Sequence, residues 1–334
     1  MSHSNNFQSL VMCKNRICSI DVLRVFACLA VILIHTAGSP IVHNMVEYGT
    51  LWYYECMLLN AISRWSVPAF AMISGFLFLN SNKIITFKLL FSKYIFRIIC
   101  ALAFWSMFYA ITLNKNIYPF GIQEGHFWYL GMLIGLYLSM PIMKVIAQNE
   151  RVLKYFCISW LCVMIYKFLG HFINLPINNF DSAFFVVYPG YCLVAYYLSI
   201  IKISNMYQCL IYVMGFIGLS VTIIAAVLTN DSNTVFFSYD SPNVILTSVA
   251  IFQLALRFRY DDCKFKNKLK LVSECTFGIY LVHLWILIHL FFRVHRFIPQ
   301  PIPLCFICVV CTFVFGGVIT FFIKKAPCFG KYIV

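Results

Sequence analysis

Long apolar segments alternate with short polar connections along almost the whole chain. Ten segments approach the roughly twenty residues that a helix needs to cross a bilayer. The segments are 19–38, 56–79, 94–113, 127–146, 153–173, 184–201, 207–229, 242–257, 274–292 and 302–323. The pattern predicts an all-α fold, a polytopic transmembrane helical bundle, with residues 1–18 as an N-terminal tail and residues 19–330 as a single integral-membrane domain.

Composition supports a membrane protein. Hydrophobic residues make up 62% of the 334-residue chain and charged residues only 11%, against about 25% charged in soluble domains. The 15 cysteines are scattered through apolar segments, where cysteine behaves as a small hydrophobe. Cys305, Cys308 and Cys311 have CxxC spacing, but they lie in an apolar run without histidine or acid nearby. We therefore predict no metal site and no disulfide scaffold.

Basic residues lie mainly on one side of the predicted bundle. Of the 25 lysines and arginines, 18 fall in the connections on the N-terminal side and three in those on the opposite side. This positive-inside bias places both termini in the cytoplasm. The net charge of +14 then reflects topology, and we predict no nucleic-acid partner. The longest connections, such as 229–241 and 257–273, are too short for a separate soluble domain, so any chemistry lies inside the bundle.

The first apolar segment carries three ionisable side chains. Arg24 and His35 are eleven residues apart, so on a helix they point the same way about 16 Å apart along the axis. Asp21 falls near the same stripe. An ionisable group in the bilayer costs about 2.5–3.5 kcal/mol. Either Asp21 and Arg24 pair at the cytoplasmic interface and His35 packs there, or the stripe is functional.

Four further polar motifs follow in order along the chain. They are Ser-Arg-Trp-Ser-Val-Pro (63–68) with Ser74-Gly75, Gly-His-Phe-Trp-Tyr-Leu (125–130), Thr-Phe-Gly-Ile-Tyr-Leu-Val-His (276–283) and Lys-Lys-Ala-Pro (324–327). Together with the Arg24–His35 spacing, they resemble the bacterial membrane-bound acyltransferase-3 family. That family includes O-acetyltransferases of O-antigen, enterobacterial common antigen and other surface glycans. The resemblance covers about residues 16–330, so residues 19–330 would be the acyltransferase domain.

The resemblance implies an acyl-CoA donor, usually acetyl-CoA, that enters from the cytoplasm as a substrate and not as a permanently bound cofactor. The acceptor is a glycan hydroxyl. His35 is then the expected general base, since imidazole titrates near neutral pH, although an acyl-histidine intermediate stays open. Arg24 would fix a phosphate or carbonyl of the pantetheine arm. Asp21, which we group with these catalytic residues, could serve only to hold Arg24.

Further donor-binding residues are expected in the second and third spans. Arg64 needs either a ligand or a structural ion-pair partner across the bundle, and Pro68 should loosen the helix below it. Arg97, with Lys93, is the expected contact of the CoA phosphates. The family tends to carry an Arg-x-x-Arg pair here, but Tyr94 stands at the first position, which weakens a paired clamp.

The acceptor side is expected around His126, Trp128, His283 and Tyr280, which match family motif positions. By default Trp128 would belong to an interfacial aromatic belt, and His283 could be an ordinary core histidine. Ser74-Gly75 favours a close helix contact over a donor to the reacting carbonyl.

We therefore predict a multi-pass O-acetyltransferase of a bacterial cytoplasmic (inner) membrane. Its substrates would be acetyl-CoA and a cell-surface polysaccharide such as O-antigen, or a lipid-linked precursor. Membrane lipid and a second copy of the chain are the other partners considered. A secondary transporter of a small solute or glycan intermediate is the main alternative, and an assembly or sensor protein without chemistry is another. Against transport, the sequence shows no internal repeat.

Overall fold

The computed structural model describes residues 17–81, 86–114, 125–173, 187–229, 234–258, 265–327 and 329–334. Secondary structure in these ranges is helical, with no strand. Most of the predicted N-terminal tail (residues 1–16) lies outside the described residues, as do residues 184–186 at the start of the predicted sixth span. The prediction of an all-α, polytopic helical bundle is confirmed.

The helices follow the apolar segments closely. In chain order they are α1 (Cys18–Val42), α2 (Leu51–Ala61), α3 (Ser66–Leu79), α4 (Phe96–Thr112), α5 (Trp128–Ala147), α6 (Glu150–Gly170), α7 (Tyr188–Ile200), α8 (Asn205–Leu228), α9 (Pro242–Arg257), α10 (Lys266–His295), α11 (Pro301–Lys325) and α12 (Gly330–Ile333). A helical turn (Phe87–Leu89) and a π-helical stretch (Leu90–Ile95) lead directly into α4, and a 3₁₀ turn (Val235–Phe237) precedes α9.

Each of the ten predicted spans overlaps a helix, and nine segments of the described chain are long and apolar enough to cross a membrane. The exception is the sixth span, where α7 has 13 residues. At 1.5 Å per residue such a helix covers about 20 Å, less than the roughly 30 Å of a bilayer core. Several of its residues are nevertheless fully buried, so α7 is a core helix of the bundle.

The predicted second span is interrupted. Residues 62–65 form turns between α2 and α3, and Arg64 lies in this interruption. Pro68 explains the position, because it has no amide hydrogen to donate and its ring would clash with the carbonyl of residue i−4, which is Arg64. The helix is therefore interrupted before Pro68, at Arg64. Pro68 itself lies in the first turn of α3, where proline is tolerated.

Glycines bring α7 close to its neighbours. A Cβ on Gly75 of α3 would lie 2.3 Å from the Cα of Cys192, and a Cβ on Gly190 would lie 2.1 Å from the indole of Trp160. Only glycine permits such approach, so Ser74-Gly75 makes the predicted close helix contact. The Ser74 hydroxyl donates to the Phe70 carbonyl of its own helix.

Helix α1 lies at the centre of the bundle and packs against α2, α3, α10 and α11. In contrast, α6, α8 and α11 expose large apolar side chains such as Ile158, Phe216 and Phe306. Apolar exposure on this scale fits a surface that faces lipid. The polar residues of α1 therefore face the interior of the protein.

Candidate active site

Helices α1 and α10 run side by side in the same direction. Polar contacts between them include Arg24–Ser273 and Cys28–Thr276, with sequence separations of 249 and 248 residues, and the ring pair His35–His283 continues the series. A nearly constant separation along several turns requires parallel helices in a fixed register. The stripe predicted on α1 therefore lies against a second polar stripe, on α10.

One end of this interface holds a partly buried ion pair. The Arg24 Nη1 atom lies 3.4 Å from Asp21 Oδ1 and donates to the Ser273 hydroxyl at 3.1 Å. The same hydroxyl donates to Asp21 Oδ1 at 2.7 Å. Asp21 and Ser273 are buried, and each offsets part of the cost of holding the guanidinium away from water. Asp21 and Ser273 thus fix the position of Arg24.

The other end holds three imidazoles that come from distant parts of the chain. The ring of His35 lies 5.1 Å from that of His283, and the His283 ring lies 5.1 Å from that of His126. His283 is 0% exposed and His126 is 1% exposed. Three predicted site residues are therefore brought into one cluster, from α1, from α10 and from the turn before α5.

Tyr280 and two backbone carbonyls surround this histidine cluster. His283 Nδ1 lies 2.5 Å from the Tyr280 carbonyl oxygen, and His126 Nε2 lies 3.4 Å from that of Leu281. The Tyr280 hydroxyl donates to the His126 carbonyl oxygen. Within the described chain, His126 Nδ1 and His283 Nε2 are buried without a hydrogen-bond partner. Tyr280 is therefore a packing and positioning element of the cluster.

Arg64 reaches the same region from the interruption between α2 and α3. Its guanidinium carbon lies 4.5 Å from the centroid of Phe237, and it is hydrogen-bonded to Tyr239. It also lies within electrostatic range of His35. No carboxylate is found among its partners in the described residues, and its Nε has no hydrogen-bond partner there. The structural ion pair considered for Arg64 is therefore not found in that part of the chain.

Trp128 packs inside the protein against tyrosines. Its ring lies 6.0 Å from that of Tyr239, nearly parallel at 25°, and 6.1 Å from that of Tyr188. These aromatic contacts link the first turn of α5 to the segment that carries Tyr239. Trp128 therefore contacts the neighbours of Arg64 and does not only face the membrane boundary.

Arg97 lies in the first turn of α4, and Lys93 lies in the π-helical stretch before it. Arg97 Nη2 donates to the Val334 carbonyl oxygen at 2.7 Å, and its guanidinium carbon lies 5.3 Å from the Phe277 centroid. Lys93 is exposed and lies over the ring of Tyr94 at 5.7 Å. The two side chains do not form a joint clamp in these contacts, and a role toward CoA phosphates stays a prediction.

Comparison with known families identifies the chain. The sequence model of the acyltransferase domain that defines the acyltransferase-3 family matches residues 18–322. The chain belongs to the acyltransferase-3 family. No curated protein and no solved structure matches it. The family and the membrane-spanning helices together make it a multi-pass membrane acyltransferase.

The site has the groups that acyl transfer to a hydroxyl requires. An imidazole can remove the proton of an attacking hydroxyl, and His35 lies beside two further imidazoles in a largely buried cluster. A fixed cation can stabilise the negative charge that develops on the carbonyl oxygen, and Arg64 is within electrostatic range of His35. A buried setting strengthens both effects.

Three residues of this acyltransferase were missed by the sequence reasoning. Ser273 has no motif of its own and is recognised only through the parallel pairing of α1 with α10. Tyr109, on α4, donates to the Leu281 carbonyl at 3.1 Å. Tyr239 lies in the predicted connection 229–241, and it is hydrogen-bonded to Arg64. The neighbouring Asp240 pairs with Lys167 at 2.6 Å. The available signal was a polar residue just before an apolar span for Ser273 and Tyr239, and a hydroxyl inside a span for Tyr109.

The cysteines of α11 include the CxxC spacing noted in the sequence. Among the described residues, no three histidine, cysteine or acidic side chains come together in a way that could hold a metal ion. Cys305 and Cys308 are buried free thiols, and Cys311 is a partly buried one. They pack within α11 as the apolar context suggested.

Proposed function

We propose that this acyltransferase transfers an acetyl group from cytoplasmic acetyl-CoA to a hydroxyl of a cell-surface polysaccharide, such as O-antigen, or of its lipid-linked precursor. The proposal places the protein in a bacterial inner membrane. Acetyl-CoA acts as a substrate, and the reaction needs no bound cofactor.

The observation that carries the proposal is the line of polar groups along the α1–α10 interface. Arg24, fixed by Asp21 and Ser273, lies toward the N-terminal end of α1, and His35 lies three turns further along. Eleven residues of helix span about 16 Å, which is comparable to an extended pantetheine arm. The charge bias of the connections supports a cytoplasmic position for the Arg24 end.

In the proposed reaction, His35 takes the proton of the acceptor hydroxyl as the oxygen attacks the thioester carbonyl. A C–O bond forms, the C–S bond breaks, and the CoA thiolate receives the proton from the imidazolium. The guanidinium of Arg64 stabilises the charge on the carbonyl oxygen during this step. Donor and acceptor therefore exchange one acetyl group and one proton, and His35 returns to its starting state.

The remaining predicted residues divide between the two substrates. On the donor side, Arg24 binds the pantetheine arm, and Arg97 and Lys93 bind the CoA phosphates near the N-terminal end of α4. On the acceptor side, the sugar lies near His126 and Trp128. The rings of Trp128 and Tyr239 are nearly parallel, which supports an aromatic surface there that a sugar could contact.

The test replaces His35 by alanine and compares acetylation of the surface glycan by NMR in cells that produce each variant. The His35→Ala protein should insert at normal levels and leave the glycan unacetylated. His43→Ala is the matched control, because His43 is an exposed residue just after the same helix. Full acetylation by the His35→Ala protein would refute the assignment of His35.

The interrupted span formed by α2 and α3 is the one feature that also suits a carrier, because transporters bind solutes at broken helices. Purified protein in vesicles separates the two functions. Transfer of labelled acetyl groups from acetyl-CoA to glycan identifies the enzyme. Movement of glycan across the vesicle membrane without transfer of the label would favour transport.

A further inference from the structure

Backbone carbonyl oxygens set the tautomer of two of the clustered histidines, through a short contact at His283 and a longer one at His126. A backbone carbonyl oxygen can only accept a hydrogen bond, so the histidine nitrogen that faces it must carry the hydrogen. His283 therefore carries its hydrogen on Nδ1, toward Tyr280, and His126 on Nε2, toward Leu281. In the neutral imidazole the opposite nitrogen then holds a lone pair. These nitrogens, His283 Nε2 and His126 Nδ1, are the two buried atoms without a partner.

Tyr109 helps to hold the carbonyl that fixes His126. Its hydroxyl donates to the Leu281 carbonyl oxygen at 3.1 Å and accepts from the Trp285 amide at 2.9 Å. A helix would ordinarily join these two backbone groups to each other, so the hydroxyl bridges one step of the α10 ladder. Tyr109 is 0% exposed, and its ring lies 5.6 Å from that of His126. It is a positioning residue for the His126 tautomer.

We propose that His126 Nδ1 and His283 Nε2 form a hydroxyl-binding subsite beside His35, which binds acceptors through hydroxyl groups next to the one that is acylated. The proposal rests on the acetyl transfer to a glycan proposed above, and adds to it the two nitrogen atoms that bind hydroxyl groups beside the reacting one. A mono-alcohol would leave the two lone pairs unpaired.

The chemistry of the pair favours this ligand class. A buried acceptor atom without a donor is costly, so a bound substrate that supplies donors gains both affinity and orientation. Hydroxyl groups can donate to one nitrogen each, while a carboxylate or phosphate has only acceptor oxygens to offer. The subsite thus disfavours anionic groups beside the histidine cluster.

The experiment uses side chains that keep or remove the acceptor atom. Glutamine places an oxygen near the position of Nε2 and asparagine near that of Nδ1, whereas phenylalanine keeps the ring shape without any acceptor. We expect His283→Phe and His126→Phe to raise the KM for the deacetylated glycan about tenfold or more. His283→Gln and His126→Asn should stay within about threefold of the unchanged protein. The KM for acetyl-CoA should not change in any of the four.

The outcomes separate binding from proton transfer. An amide side chain accepts a hydrogen bond but cannot relay a proton at neutral pH. If the glutamine and asparagine variants lose as much kcat as the phenylalanine variants, the histidines act as a proton relay. That result would overturn the proposal. An unchanged KM for glycan in both phenylalanine variants would also overturn the proposal. So would a raised KM for acetyl-CoA in place of that for glycan, because it would indicate that the amide groups of acetyl-CoA bind at the subsite.

A spectroscopic measurement stays informative even if the protein does not transfer acetyl groups. Imidazole ¹⁵N shifts of the histidine-labelled protein in lipid nanodiscs distinguish the two neutral tautomers. We expect His283 with hydrogen on Nδ1 and His126 with hydrogen on Nε2, and Tyr109→Phe should shift the His126 signals. Tyr212→Phe is the control, because its hydroxyl accepts from Gln208 on α8. The opposite tautomers in the unchanged protein would refute the subsite.

Discussion

Replacement of Ser273 by alanine tests whether the α1–α10 interface positions Arg24. The substitution removes one small hydroxyl from a buried place in α10 and leaves every charged group in the protein. It deletes two hydrogen bonds at once, the 2.7 Å bond to Asp21 and the 3.1 Å bond from Arg24. The direct Asp21–Arg24 contact at 3.4 Å remains, but it is long for a hydrogen bond.

The expected loss follows from these two bonds. A hydrogen bond to a charged group contributes about 1.5–3 kcal/mol, and removal of one partner leaves the buried charge less well satisfied. Since Asp21 and Arg24 can move toward each other, we expect the loss of about one such bond and not of two. That corresponds to a fall of roughly tenfold to a hundredfold in kcat/KM for acetyl-CoA, at about 1.4 kcal/mol per tenfold.

The assay measures acetyl transfer by purified protein at varied acetyl-CoA and saturating acceptor. Ser139→Ala is the matched control, because the Ser139 hydroxyl donates to the Leu136 carbonyl of its own helix α5. If Ser273 acts through Arg24, its replacement in an Arg24→Ala background should cost nothing further. Equal losses from Ser273→Ala with and without Arg24 would refute the positioning role and leave only a structural one.

Two further predictions concern the frame around the site. Gly190→Ala places a methyl group 2.1 Å from the Trp160 indole, so we expect a loss of about 1–3 kcal/mol in stability, measured as a lower melting temperature in detergent. Gly131→Ala has open space around its Cβ and should not change the melting temperature; equal effects would contradict the argument. Lys167→Met breaks the 2.6 Å pair with Asp240, which costs about 1 kcal/mol or less. It should raise the KM for glycan without changing the KM for acetyl-CoA. An unchanged KM for glycan would refute the link between this ion pair and the glycan site.

Much of the fold could be predicted from the sequence, because a bilayer-spanning helix needs a long apolar run and such runs stand out. The positions of the spans and the shared face of Arg24 and His35 follow from composition and helical periodicity alone. The register between helices does not. Ser273 lies 249 residues from Arg24, and only three-dimensional packing decides that this particular serine meets the guanidinium.

The interruption at Arg64 shows how local chemistry and packing combine to build the site. Pro68 makes a continuous helix costly at that point, but proline alone does not say what the freed turn will contact. The segment before α9 supplies the answer, since Phe237 and Tyr239 both contact the Arg64 guanidinium. Arg64, for which no ion pair is found in the described residues, is therefore held by aromatic and hydroxyl partners. Such partners hold it in place without cancelling its charge, which leaves that charge available to a reacting carbonyl oxygen.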